Sequence, residues 1–212
     1  MSADTVPSGE PPQEISEDEY FALEQKSPTK HEWRRGRVVA MGGASPVHNF
    51  IQVNLLHAFV DALRGRRCTI LPSDQRVHIA DEAMYTYPDI AVTCDRPRFT
   101  GKDSYSLENP RVVVEILSKS TEAHDRGKKF ERYKALPSLA EYVLVEQDEH
   151  RIDHFRRLES GQWLLTTYKG DEDVLVLPAL DCRIPLSAIY ANLDLLEEVS
   201  ASPAPPSATL RP

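Results

Sequence analysis

Three side chains give the first chemical suggestion in this sequence. Asp89 stands just ahead of the apolar run Ile90-Ala91-Val92, and Glu115 sits inside the run VVVEIL. Lys128 and Lys129 follow on a basic segment. A glutamate inside a buried strand costs several kcal/mol, on the order of 3–5, unless it is paired, protonated or bound to a metal. Two carboxylates brought to one point repel, and a divalent cation removes that repulsion. Oxygen-only ligands favour magnesium or manganese over zinc. A lysine pointing back at such a pair could orient water or offset charge on a transferring phosphate. An ordinary α/β core with charged strand ends carries the same residues: Asp89 as a turn aspartate, Glu115 paired with an arginine, Lys129 in an exposed pair with Asp125.

Weaker candidates surround these. Glu32 precedes an apolar strand and could enter the same cleft. His48 falls in the first turn of a helix, where it could contact phosphate or act only near the cap. The other histidines have no convincing ligand spacing. From Lys119 to Lys134 the chain carries six basic and three acidic residues, the most suitable local surface for a polyanion. Strand alternation would put Arg111, Val113 and Glu115 on one face, bordering a cleft.

The elements that must position these groups follow from pattern. Ser16 and Glu19 form a capping box that opens a helix ending near Pro28. HEWRRGRVVAM, residues 31–41, reads as two short strands turning at Gly36. Ser45-Pro46 starts the longest amphipathic helix, with Phe50, Ile51, Leu55, Phe59 and Leu63 at helical spacing. Short strands are expected over 68–71, 75–80 and 87–93. Residues 111–117 form a central strand apolar on both faces, and a helix is expected over 122–135. Strands over 142–145, 151–155 and 163–168 make a meander, followed by 174–177, 182–184 and a helix over 186–196. The expected whole is one α/β domain over 15–196 built on a mixed sheet. Residues 1–14 and 197–212 form polar or Pro/Ala/Ser-rich tails.

The totals exclude other classes. With 212 residues there is enough chain for a real core, and a net charge of -8 argues against a nonspecific DNA coat. Three scattered cysteines without a CxxC pair argue against a disulfide framework, and each reads as a small core residue. No apolar run has membrane-spanning length and no signal pattern opens the chain, so the expectation is cytoplasmic and without a membrane partner.

Taken together, several pieces resemble a known family. They are Glu32 ahead of Gly36, Ser45-Pro46-Val47-His48, YPDIAV at 87–92, VVVEILSKST at 112–121, DRGKK at 125–129, Tyr133, and LAEYVLVE at 139–146. In this order they resemble the Uma2-like endonucleases of the PD-(D/E)XK nuclease superfamily, across about residues 15–195. The resemblance implies a restriction-endonuclease-like fold, a central mixed sheet flanked by helices with an antiparallel meander. It implies Asp89 and Glu115 as magnesium or manganese ligands, helped by Glu32. The usual strand lysine is absent, since Ile116 and Leu117 follow Glu115, and the helix residue Lys129 matches the substitute. His48, Ser118, Asp125 and Lys128 match polar positions facing substrate. The implied activity is hydrolysis of a DNA phosphodiester, and a homodimer would place two clefts on one duplex. The alternative is a catalytically weak or inactive nuclease-fold domain serving protein interaction or self-association.

Overall fold

The computed structural model describes residues 14–100, 103–118 and 125–196. The 1–14 and 197–212 tails fall outside these residues except for Glu14, as do 119–124 at the start of the expected 122–135 helix.

The first helix, α1 (Glu17–Glu24), begins at the expected capping box: the Ser16 side chain accepts from the Glu19 N–H, and Glu19 closes back on the Ser16 backbone. Its buried Tyr20 packs with Trp33 and Tyr85. Strands β1 (His31–Arg34) and β2 (Arg37–Ala40) form the expected hairpin. Arg35 and Gly36 both have positive φ, 47° and 86°, which suits a two-residue turn that matches strand twist. Position 36 needs glycine for a second reason, since a Cβ there would stand 2.9 Å from the Glu14 Cβ.

Ser45 caps α2 (Pro46–Ala62) by accepting from the His48 N–H at 3.0 Å, with Pro46 at the first helical position. Next come β3 (Thr69–Pro72), β4 (Val77–Ile79), β5 (Met84–Thr86) and β6 (Ile90–Thr93). The expected strand over 87–93 is shortened to β6, and β5 is a strand that the pattern did not disclose. Pro88 lies between β5, which pairs with β1, and β6, which belongs to another sheet. β7 (Val112–Ile116) is buried along its whole length, as expected for a central strand.

A wide π-type turn (Asp125–Lys129) runs into the one-turn helix α3 (Phe130–Tyr133). Then follow β8 (Glu141–Val145), β9 (Arg151–Arg157), β10 (Trp163–Lys169), β11 (Val174–Leu177) and β12 (Cys182–Pro185). The expected helix over 186–196 is broken. α4 covers Leu186–Ile189 only, and Asn192 at φ 63° interrupts it.

The main sheet runs β10-β9-β8-β7-β6-β3, mixed because β7 and β8 are parallel while the other pairs are antiparallel. A second sheet, β2-β1-β5-β4, carries the N-terminal hairpin. A parallel pair cannot be joined by a tight turn, so the chain must cross over a face of the sheet between β7 and β8. That crossover brings Lys129 and Tyr133 over the sheet. One sheet face packs on α2, β12 and α4 through Ile51, Leu55, Phe59, Val114 and Ile184. The other packs on the crossover through Val113, Phe130, Tyr133 and Tyr142. With helices and a mixed sheet in this order, the architecture is that of the restriction-endonuclease-like fold.

Two further expectations need correction. Cys68 and Cys94 form a disulfide, and only Cys182 is a free buried thiol. The pairing Thr69↔Thr93 places the two cysteines opposite each other at the ends of β3 and β6, a relation that a separation of 26 residues does not disclose. Arg111 does not share the Glu115 cleft. Its guanidinium donates to the Ala179 carbonyl instead, at 2.8 Å.

Candidate active site

β6 and β7 bring the two principal acids together. Ile90 pairs with Val114, so Asp89 and Glu115 come next in the same antiparallel register. The Ile116 backbone N–H donates to Asp89 Oδ2 at 2.6 Å, which fixes that carboxylate against the neighbouring strand. His48 Nε2 lies 3.1 Å from Asp89 Oδ1, and Gln52, one helical turn further along α2, donates to the Asp89 carbonyl at 2.9 Å. His48 therefore meets Asp89 itself.

Lys129 is the centre of the cluster. Its Nζ lies 2.9 Å from Glu115 Oε1, 3.2 Å from Glu32 Oε1 and 3.8 Å from Asp125 Oδ1. The π-type turn lets Asp125 and Lys129 both face inward, and both are buried. Tyr133, four residues further on, donates to Glu115 Oε1 at 3.1 Å. Thr86 on β5 donates to Glu32.

Charge balance is uneven here. Burial lowers the Lys129 pKa, but Glu115, Glu32, Tyr133 and Asp125 outweigh it, and the ammonium holds its proton well above the usual lysine range. Burial pushes the Glu115 carboxyl well above its usual value; Lys129 opposes this, while Asp125 and Asp89 add to it. One ammonium thus faces several carboxylates in a desolvated place, a setting that an added cation relieves. The donors are oxygens, which suits a hard divalent ion, and Asp89 and Glu115 would hold it. Among the described residues, no three His, Cys, Asp or Glu side chains are gathered as a metal-binding group.

These residues form the floor of a cleft of about 1170 Å³. Ser118 and His48 line it, as do Glu32, Asp89, Glu115, Asp125 and Lys129. Lys128 does not line the cleft. It is exposed, because the turn that brings Asp125 and Lys129 inward sends Lys128 outward. Sequence reasoning missed Gln52, Tyr133 as a partner of Glu115, and the cleft arginines Arg34, Arg37 and Arg132. For Tyr133 a signal existed, the four-residue step from Lys129 on one helical face. For Arg34 and Arg37 the turn at Gly36 was a signal, since it sets them opposite each other; that Arg132 joins them was not readable.

The sequence model of the Uma2 family, described as "Putative restriction endonuclease", matches residues 17–187. "Uncharacterized protein slr1290" of Synechocystis sp. is 38% identical over 179 residues, covering 84% of this chain and 93% of that protein. A second Synechocystis protein, "Uncharacterized protein sll1609", is 34% identical over 153 residues, covering 72% and 86%. Among solved structures, a "putative nuclease belonging to DUF820" from Anabaena variabilis superposes with a TM-score of 0.68 at 16% identity. That likeness covers 83% of this chain and 97% of the other, and at such identity it speaks for the fold.

Proposed function

The chain belongs to the Uma2 family, and from that membership we propose that it is a nuclease-fold domain with weak, divalent-cation-dependent activity on a nucleic-acid phosphodiester. The observation that carries this reading is Lys129 Nζ at 2.9 Å from Glu115 Oε1, in a cleft that also holds Asp89. A lysine absent from the strand is supplied from the crossover to the same acid.

A magnesium or manganese ion on Asp89 and Glu115 would supply charge stabilisation at the phosphate. Lys129 would orient the attacking water and offset the growing negative charge. Glu32 and Asp125 hold Lys129 in place, while His48 and the Ile116 N–H hold Asp89. The activity is weak because Lys129 is already engaged with Glu115, so loading the site means loosening a buried ion pair.

A second reading is a noncatalytic interaction domain, and specific observations favour it over an efficient nuclease. The carboxylates already have protein partners, and no three-donor metal group is assembled among the described residues. The edge strand β10 exposes Leu164 and Leu165, a surface for self-association.

The test is incubation of the parent, Asp89→Asn and Glu115→Gln with labelled DNA and RNA in magnesium or manganese. Slow cleavage by the parent alone, stopped by chelation, is expected. A folded parent that cleaves none of these substrates leaves the noncatalytic reading standing.

A further inference from the structure

The wall of the cleft differs in character from its floor. Alternation along the β1–β2 hairpin turns Trp33 and Val38 toward the core under α1. The other face carries Glu32 and Arg34 on β1, paired with Val39 and Arg37 on β2, and all four line the cleft. Glu32 reaches down to Lys129, while Arg34 and Arg37 lie nearer the hairpin turn. Arg132 of α3 lines the same cleft. Burial first, and then the nearby Arg34 guanidinium, hold its pKa below the usual arginine range. Two guanidiniums placed together repel, and Glu82, which accepts from Arg34 at 2.8 Å, offsets part of this together with Glu32. Beside these cations stand apolar side chains: Val39, 63% exposed, and Met41 just beyond it.

A continuous duplex presents phosphates and groove edges, with its base faces hidden in the stack. It is also stiff over roughly 150 base pairs, so it cannot fold into a narrow recess. Here Glu115, Asp125 and Lys129 line the cleft and are buried, below the surface that a rigid duplex would meet. The cleft volume, about 1170 Å³, lies just above the range of roughly 300–1,000 Å³ that encloses one drug-sized ligand. It accommodates a few nucleotides. A flexible single strand can descend to such a floor and lay unstacked base faces on apolar side chains.

Resting on the nucleic-acid reading above, we infer that the cleft takes single-stranded nucleic acid, as a strand end, flap or melted segment, in preference to continuous duplex. Arg34, Arg37 and Arg132 hold its phosphates, and Val39 and Met41 pack against base or sugar.

The test uses fluorescence anisotropy with calcium in place of magnesium and the full chain throughout. The probes are a fluorescein-labelled strand of about 20 nucleotides and the duplex of the same sequence. The single strand is expected to bind about tenfold or more tightly than the duplex. Arg37→Ala should weaken single-strand binding and reduce the log–log salt slope by about 0.7. Val39→Ser should weaken it by about fivefold and leave that slope unchanged. Both positions are exposed on the hairpin, and thermal melts of the variants check that they fold. Equal or tighter binding of duplex, or no binding of either probe, overturns the inference. Strand-selective binding without cleavage in magnesium or manganese would remove the hydrolytic reading and keep this one. Duplex cleavage without strand preference would do the reverse.

Discussion

Lys129 Nζ stands 2.9 Å from Glu115 Oε1, with both side chains nearly sealed from solvent at 7% and 5% exposure. The two residues come from different elements, the crossover turn and the central strand, and each makes the other's charge tolerable there. Breaking the pair from one side therefore disturbs the core as well as the candidate site.

Removing the ammonium leaves Glu115, Glu32 and Asp125 facing one another in a desolvated pocket. Lys129→Ala is therefore expected to cost about 3–5 kcal/mol in urea denaturation. Glu115→Gln removes a charge while keeping a group that Tyr133 can donate to, and should cost less. The Lys129→Met and Glu115→Gln double variant should recover much of the loss. A single Lys129→Ala cost below about 1 kcal/mol would show that the pair is not a buried one.

A cation that binds the folded chain at Asp89 and Glu115 must raise its stability by mass action, by about 2.7 kcal/mol at a hundredfold excess over Kd. Manganese is expected to raise the melting temperature of the parent and not that of Asp89→Asn. An equal rise in both would place the ion elsewhere.

Arg76 and Asp103 give a pH signature away from the cleft. Burial pushes the Asp103 carboxyl up, but the Tyr105 N–H, the Ser106 hydroxyl and the Arg76 guanidinium outweigh it and hold the pKa below the usual range. A lowered folded-state pKa contributes stability above the unfolded value of about 3.9, and that stability is lost as pH falls through the folded value. Asp103→Asn should thus be less stable than the parent by about 2 kcal/mol near neutrality. The gap should close as the medium is acidified below about pH 4. Urea midpoints across that range read it directly, and a gap that stays constant would contradict the assignment.

The cysteines make a chemical prediction. Reducing Cys68–Cys94 opens a loop spanning 26 residues and should lower stability by about 3 kcal/mol. Burial pushes the Cys182 thiol up to about 11, so it should resist a thiol reagent in the native protein. One thiol should react on denaturation and three after reduction as well. Three thiols in unreduced, denatured protein would exclude the disulfide.

The elements themselves were legible wherever local physics decides them. The Ser16 capping box, the Ser45-Pro46 helix start, the turn at Gly36 and the two-faced apolar strand around Glu115 each depend on neighbours a few residues apart. Periodicity did not disclose β5, three residues long and set in place by its pairing with β1 and β4. It also could not foresee the break at Asn192, a left-handed residue inside an otherwise helical pattern.

By itself, the sequence determined that Asp89 and Glu115 lie on strand runs and that a basic segment follows them, because strand burial and charge are written in residue type and spacing. It also held enough ordered pieces to reveal the family. Residue pattern left both lysines open and the resemblance pointed to Lys129; the tertiary structure gave the physical reason, since the π-type turn buries Lys129 and exposes Lys128. It also decided that His48 meets Asp89, that Cys68 meets Cys94, and that three arginines from separate elements share one cleft. The physical reason is the same each time. Where these groups meet is set by sheet register and by the path of the crossover, which join segments distant in the chain.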